Sequence, residues 1–124
     1  MTNDLCSLYI TLAENKITCV NAGYRKFSLQ LVKSLKEDGQ RCWGKTDFDK
    51  CEISLELTAI HDVAVETLLH EIMHIVLHLV GFDPEDGSSS LTATNEELVS
   101  RITKGLLLIN NLNRKLFKIL LTQL

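Results

Sequence analysis

Residues 62–80 read DVAVETLLHEIMHIVLHLV, a run without glycine or proline and with apolar side chains on nearly every face. Such a segment is a helix buried in a core rather than laid on a surface. Asp62 is placed to serve as its N-cap, and Gly81 followed by Pro84 supplies the stop. Inside the run stand His70, Glu71 and His74. Residues four apart on an α-helix are separated by about 6 Å along the axis and about 40° around it. Both imidazoles can therefore close on one tetrahedral zinc ion. Glu71, about 100° round from His70, falls outside that coordination sphere but can take a proton from a zinc-bound water. This is the H-E-x-x-H arrangement of zinc peptidases. The plainer alternative is a pair of core histidines satisfied by backbone carbonyls. Burying two imidazoles and a carboxylate together is costly without a metal or other partners.

A third ligand has to come from elsewhere. His78 continues the four-residue series but sits about 12 Å along the helix from His70, beyond the reach of ligands that bind at about 2 Å. It reads as a second hydrogen-bonding layer, a pocket wall or a core histidine. His61 lies just before the helix and reads as a surface residue. Carboxylate is the better source, from Thr94-Asn95-Glu96-Glu97 at the start of a second helix. There Leu98, Val99, Ile102, Leu106 and Ile109 form an apolar stripe. Thr94 as N-cap and Glu97 at N3 make a capping box, which leaves Glu96 to point at the first helix. His70, His74 and Glu96 would then form a His₂Glu set with the fourth position left to water. Exchanged roles for Glu96 and Glu97 stay open, as does the reading that both only complement the helix dipole.

TLLHEIMH at 67–74 followed by NEELVSRITKGLLLINNLNRKL at 95–116 resembles the small phage and prophage metallopeptidase-like proteins related to the ImmA/IrrE group. The order of the two motifs is also similar to that of the minimal gluzincins. The likeness spans roughly residues 44–121, and GKTDFDKCEISLEL from Gly44 to Leu57 resembles the strand pair that precedes the active-site helix in that group. The resemblance implies Zn²⁺ held by His70, His74 and Glu96, with Glu71 as general base. Val99 stands where the group's second motif has alanine, and no tyrosine or histidine follows Glu96. The implied fold is α+β and zincin-like. A small antiparallel sheet would pack on the central HExxH helix, with a second ligand-bearing helix and a short C-terminal helix, in one domain over 1–124. The implied activity is zinc-dependent hydrolysis of peptide bonds, with a peptide or protein as substrate. A zinc-binding but catalytically idle phage or prophage regulator of a host protein is the alternative. A plain α+β interaction module with an accidental motif is the third.

Composition narrows the classes. The chain has 124 residues, 13 Lys and Arg against 16 Asp and Glu, and a net charge of −3, which leaves no nucleic-acid footprint. MTNDLCSLYI at the start lacks a basic region followed by an apolar core, so no secretory signal is expected. Cys6, Cys19, Cys42 and Cys51 show no C-x-x-C pairing and read as reduced thiols in the cytoplasm, the host's if phage-encoded.

The remaining segments divide by pattern. Residues 17–32 read as two short strands around Asn21-Ala22-Gly23, although the second could start a helix. Residues 33–40, with Asp38-Gly39, read as a polar connection. In 51–57, Cys51, Ile53, Leu55 and Leu57 alternate with Glu52, Ser54 and Glu56, so one face should be buried and the other wet. With residues 41–48 before it, this strand forms a hairpin, and an extended peptide could pair with its edge. GFDPEDGSSSLTA at 81–93 is a turn-rich loop. Its Asp83, Glu85 and Asp86 lack the spacing of a calcium loop. Residues 106–124 are strongly apolar, but Arg114, Lys115 and Lys118 cut the run short of a membrane span. A break at 110–113 and a final short helix are expected, with the chain a monomer or a weak homodimer through that helix.

Overall fold

The computed structural model describes residues 6–82 and 95–122. In chain order these residues form α1 (Ser7–Glu14), β1 (Cys19–Asn21), β2 (Lys26–Val32), β3 (Lys36–Glu37), β4 (Gln40–Arg41), β5 (Gly44–Asp47), β6 (Glu52–Glu56), α2 (His61–Leu79), α3 (Asn95–Leu112) and α4 (Arg114–Thr122). The class is α+β. Helix α2 carries HEIMH and starts at His61 with Ile60 as its N-cap, two residues ahead of the expected cap. Asp62 does not cap it but lies in the first turn, where a carboxylate complements the positive end of the dipole. The α-helix ends at Leu79, ahead of Gly81. Pro84, Thr94 with its capping box, and the acidic positions 83, 85 and 86 lie outside the described residues.

The main sheet has the order β1-β2-β6-β5. Strand β1 pairs antiparallel with β2, and β5 antiparallel with β6, as the turn residues between them require. Strands β2 and β6, however, pair in parallel, from Ser28 with Glu52 to Val32 with Glu56. The sheet is therefore mixed, not the antiparallel one expected. Residues 33–43 carry the chain past the end of β6, from Val32 to Gly44, and β5 then returns it to the starting end of the sheet. The 33–43 stretch is not merely polar linker: Leu35 is buried, and β3 and β4 form a small hairpin around Asp38-Gly39, both at positive φ.

That crossing changes the environment of β6. It is an interior strand, flanked by β2 and β5, so its edge is not open to a peptide. Ile53 and Leu55 enter the core as expected, but Ser54 and Glu56 on the other face are buried too. Glu56 is fully enclosed. Its Oε1 accepts the Leu35 N–H at 2.8 Å, and its Oε2 accepts the N–H and hydroxyl of Thr58, each at 3.2 Å. The Arg41 guanidinium lies 3.8 Å away. The carboxylate pins the crossover segment onto the sheet.

The core forms between the sheet and α2. Phe27, Leu29, Ile53 and Leu55 meet Ala64, Val65, Leu68, Ile72, Ile75 and Val76, while Leu8 and Leu12 of α1 close one side. Helix α2 is thus buried on one broad face only; Glu66, His70, His74 and His78 follow one another at four-residue steps on the opposite face, exposed except for the half-buried His74. Helix α3 crosses α2 at Gly105, where an added Cβ would lie 2.9 Å from the Cγ1 atoms of both Val76 and Val80. The expected break occurs at Asn113, between α3 and α4. The Asn113 amide accepts the Asn21 N–H and donates to the Asn21 carbonyl, both at 2.7 Å. It occupies the backbone groups of edge strand β1 much as a neighbouring strand would. Leu116, Phe117 and Leu120 then bury α4 on the core.

Candidate metal and catalytic site

Four residues per step bring His70 and His74 to one face of α2, and their rings converge. The two Nε2 atoms are 3.2 Å apart, with ring centroids at 4.8 Å and planes at 80°. Two nitrogens at about 2.05 Å from one ion and at the tetrahedral angle stand about 3.3 Å apart. As two ligands of such an ion, the imidazoles fit without rearrangement.

Glu71, beside them, turns towards strand β5 and is 6% exposed. Its Oε1 accepts a hydrogen bond from the Thr46 hydroxyl of β5 at 2.7 Å, which fixes the carboxylate and leaves Oε2 for other work. Strand β5 comes this close because Gly44 has no side chain. A Cβ there would run into the Thr67 methyl of α2 and would lie 3.4 Å from Glu71 Cγ and Oε2.

A cavity of about 240 Å³ opens at this point, lined by His70, Glu71 and His74 together with Glu37, Cys42, Gly44, Thr46 and Phe48. A second cleft of about 270 Å³ shares Cys42, Gly44, His70 and Glu71 and adds Trp43, Glu66 and Thr67. Burial, then the Glu37 and Glu71 carboxylates, push the Cys42 thiol above its ordinary value; Lys45 and the Gly44 N–H oppose this without cancelling it. Cys42 is therefore a neutral thiol at neutral pH. Sequence reasoning missed this wall. Its signal was the alternation Cys42, Gly44, Thr46, Phe48, which places four residues on one face of an extended strand.

The other histidines take ordinary places. His78 is exposed and packs its ring on Phe48, centroids 4.7 Å apart. His61 is not a free surface residue: it is half-buried in the first turn of α2, with Nδ1 3.1 Å from the Ser7 hydroxyl.

Glu96 is exposed near the start of α3, and Glu97 forms an ion pair with Arg101 at 2.8 Å. Among the described residues, no group of three or more His, Cys, Asp and Glu side chains is placed to hold a metal. The course of α3 explains this. Arg101 lies by Gly81 and Gly105 by Val76 and Val80, so α3 runs opposite to α2 across the contact. His74 lies about 10 Å along α2 before Gly81, and Glu96 about 7 Å along α3 before Arg101. In antiparallel helices these offsets add. The structure joins the two histidines with Glu71 and leaves Glu96 apart from them.

No helix among the described residues is long and apolar enough to cross a membrane, and all four cysteines are free thiols. No protein-family model, curated protein or solved structure matches the chain.

Proposed function

We propose that this chain is a zinc-dependent metallopeptidase of zincin-like architecture, with His70 and His74 as ligands and Glu71 as general base. The observation that carries the reading is the 3.2 Å approach of the two Nε2 atoms, beside a buried carboxylate on the next residue. Zinc bound there would supply acidification of water and polarisation of the scissile carbonyl. The protein's own part is the handling of protons. Thr46 donates to Glu71 Oε1, so Oε2 is the atom that accepts the proton of the attacking water. The same oxygen returns it to the leaving amine nitrogen. Strand β5 is the sheet edge nearest the histidines, and an extended substrate would add to it through backbone hydrogen bonds. The order of the sequence motifs alone proposes Glu96 as third donor, and reaching the ion would require α3 to rearrange from the course described.

The test is zinc stoichiometry together with cleavage of a peptide library, wild type against Glu71→Gln. The variant is expected to bind zinc as the wild type does and to lose turnover by at least about a hundredfold, the usual scale of general-base catalysis. Retained zinc with unchanged cleavage removes Glu71 from the chemistry. The exposed Leu107 and Leu121 favour a second reading, a zinc-binding protein that works by docking on a host protein. Zinc binding by the wild type with no peptide cleaved selects it.

A further inference from the structure

Away from the histidines, a cleft of about 420 Å³ lies between the start of β1 and the α3–α4 junction. Four cations line it: Lys16 from the turn after α1, Lys26 from the first position of β2, and Arg114 and Lys115 from the start of α4. No Asp or Glu does. In a chain with 13 basic and 16 acidic side chains, a concave surface with four of the former and none of the latter is a marked segregation. Among the described residues none of the four is paired with a carboxylate, and none of those residues' carboxylates offsets their mutual repulsion there. The walls are held in place by short bonds: Lys115 Nζ donates to the Asn15 carbonyl at 2.8 Å, and Asn113 is clasped to Asn21. Ile17, Leu112 and Leu116 supply an apolar wall beside the charges.

We propose that this cleft binds a phosphate-bearing small molecule, with its phosphate among Lys16, Lys26, Arg114 and Lys115 and its organic part on the apolar wall. Multiple charge favours phosphate over a single carboxylate. The Arg114 guanidinium offers the planar fork that matches phosphate oxygens. The volume suits a mononucleotide-sized ligand rather than a bare ion.

The experiment is isothermal titration of the full chain with AMP, pyrophosphate and adenosine at fixed ionic strength. Lys26→Gln/Arg114→Gln is compared with Lys50→Gln/Lys104→Gln, a control pair of exposed lysines outside the cleft. Saturable one-to-one binding of AMP or pyrophosphate, with none of adenosine, is expected. The cleft pair should weaken it by about tenfold or more, equivalent to about 1.4 kcal/mol, and the control pair should leave it unchanged. A phosphate site is overturned by absence of saturable binding at millimolar probe, or by equal weakening in both pairs. Binding only to phosphatidylserine vesicles, with neither soluble probe taken up, also overturns it and assigns the charge to a lipid surface.

Discussion

Glu56 shows how one side chain can decide whether a crossover stays closed. Burial acts to raise its pKa, yet the Leu35 and Thr58 N–H groups, the Thr58 hydroxyl and the Arg41 guanidinium together outweigh burial and hold it below the ordinary 4.5. A carboxyl lowered on folding stabilises the native state above its unfolded pKa. That contribution is lost as pH falls through the folded value. Stability should therefore decline as pH drops below 4.5. Glu56→Gln should remove this dependence and turn an NH₂ group towards N–H donors. Hydrogen bonds to a charged group are worth about 1.5–3 kcal/mol, so the urea midpoint at pH 7 should fall accordingly with the slope unchanged. An unaltered midpoint would mean the carboxylate holds nothing.

At the scale of elements, the approach of β5 to α2 sets the site. Gly44→Ala drives a methyl into Thr67, and strand and helix must part. Overpacking of this kind costs about 1–3 kcal/mol, and here it also draws Thr46 away from Glu71. Thr67→Ala vacates the space, so the double variant should recover most of the loss in urea denaturation; strictly additive effects would place the strain elsewhere. Much of this architecture is legible in the sequence because its signals are local. The alternation of Ile53 and Leu55, the Asn21–Gly23 turn, the unbroken apolar run of α2 and the stop at Asn113 each need only their neighbours. Helix α1 escapes because eight residues with two buried leucines, Leu8 and Leu12, carry too little periodicity. The burial of Glu56 and the parallel pairing of β2 with β6 escape for a different reason. Both depend on how residues 33–43 cross past the end of β6 to reach β5, which no local pattern encodes.

For the whole molecule, the proposed zinc site needs donors beyond the two histidines that α2 supplies. The histidines and Glu71 are legible because a single helix fixes their spacing. The position of Glu96 is not, because it depends on where α3 crosses α2, and Gly105 sets that point. Binding to the folded chain alone stabilises it by about 2.7 kcal/mol at a hundred times Kd, or roughly 10 °C in Tm for a domain of this size. Zinc should produce a shift of that order in the wild type and in Glu71→Gln, and none in His70→Ala or His74→Ala. The two glutamates of α3 then separate by role. Glu97 is engaged with Arg101, so Glu97→Ala should lower the baseline Tm slightly and leave the zinc-induced rise intact. Glu96→Ala should shrink that rise only if α3 rearranges to bring the carboxylate to the ion. An undiminished rise in Glu96→Ala would leave the ion to the histidine pair, water and a donor other than Glu96. In that case α3 is a packing helix whose acidic start serves only its own dipole.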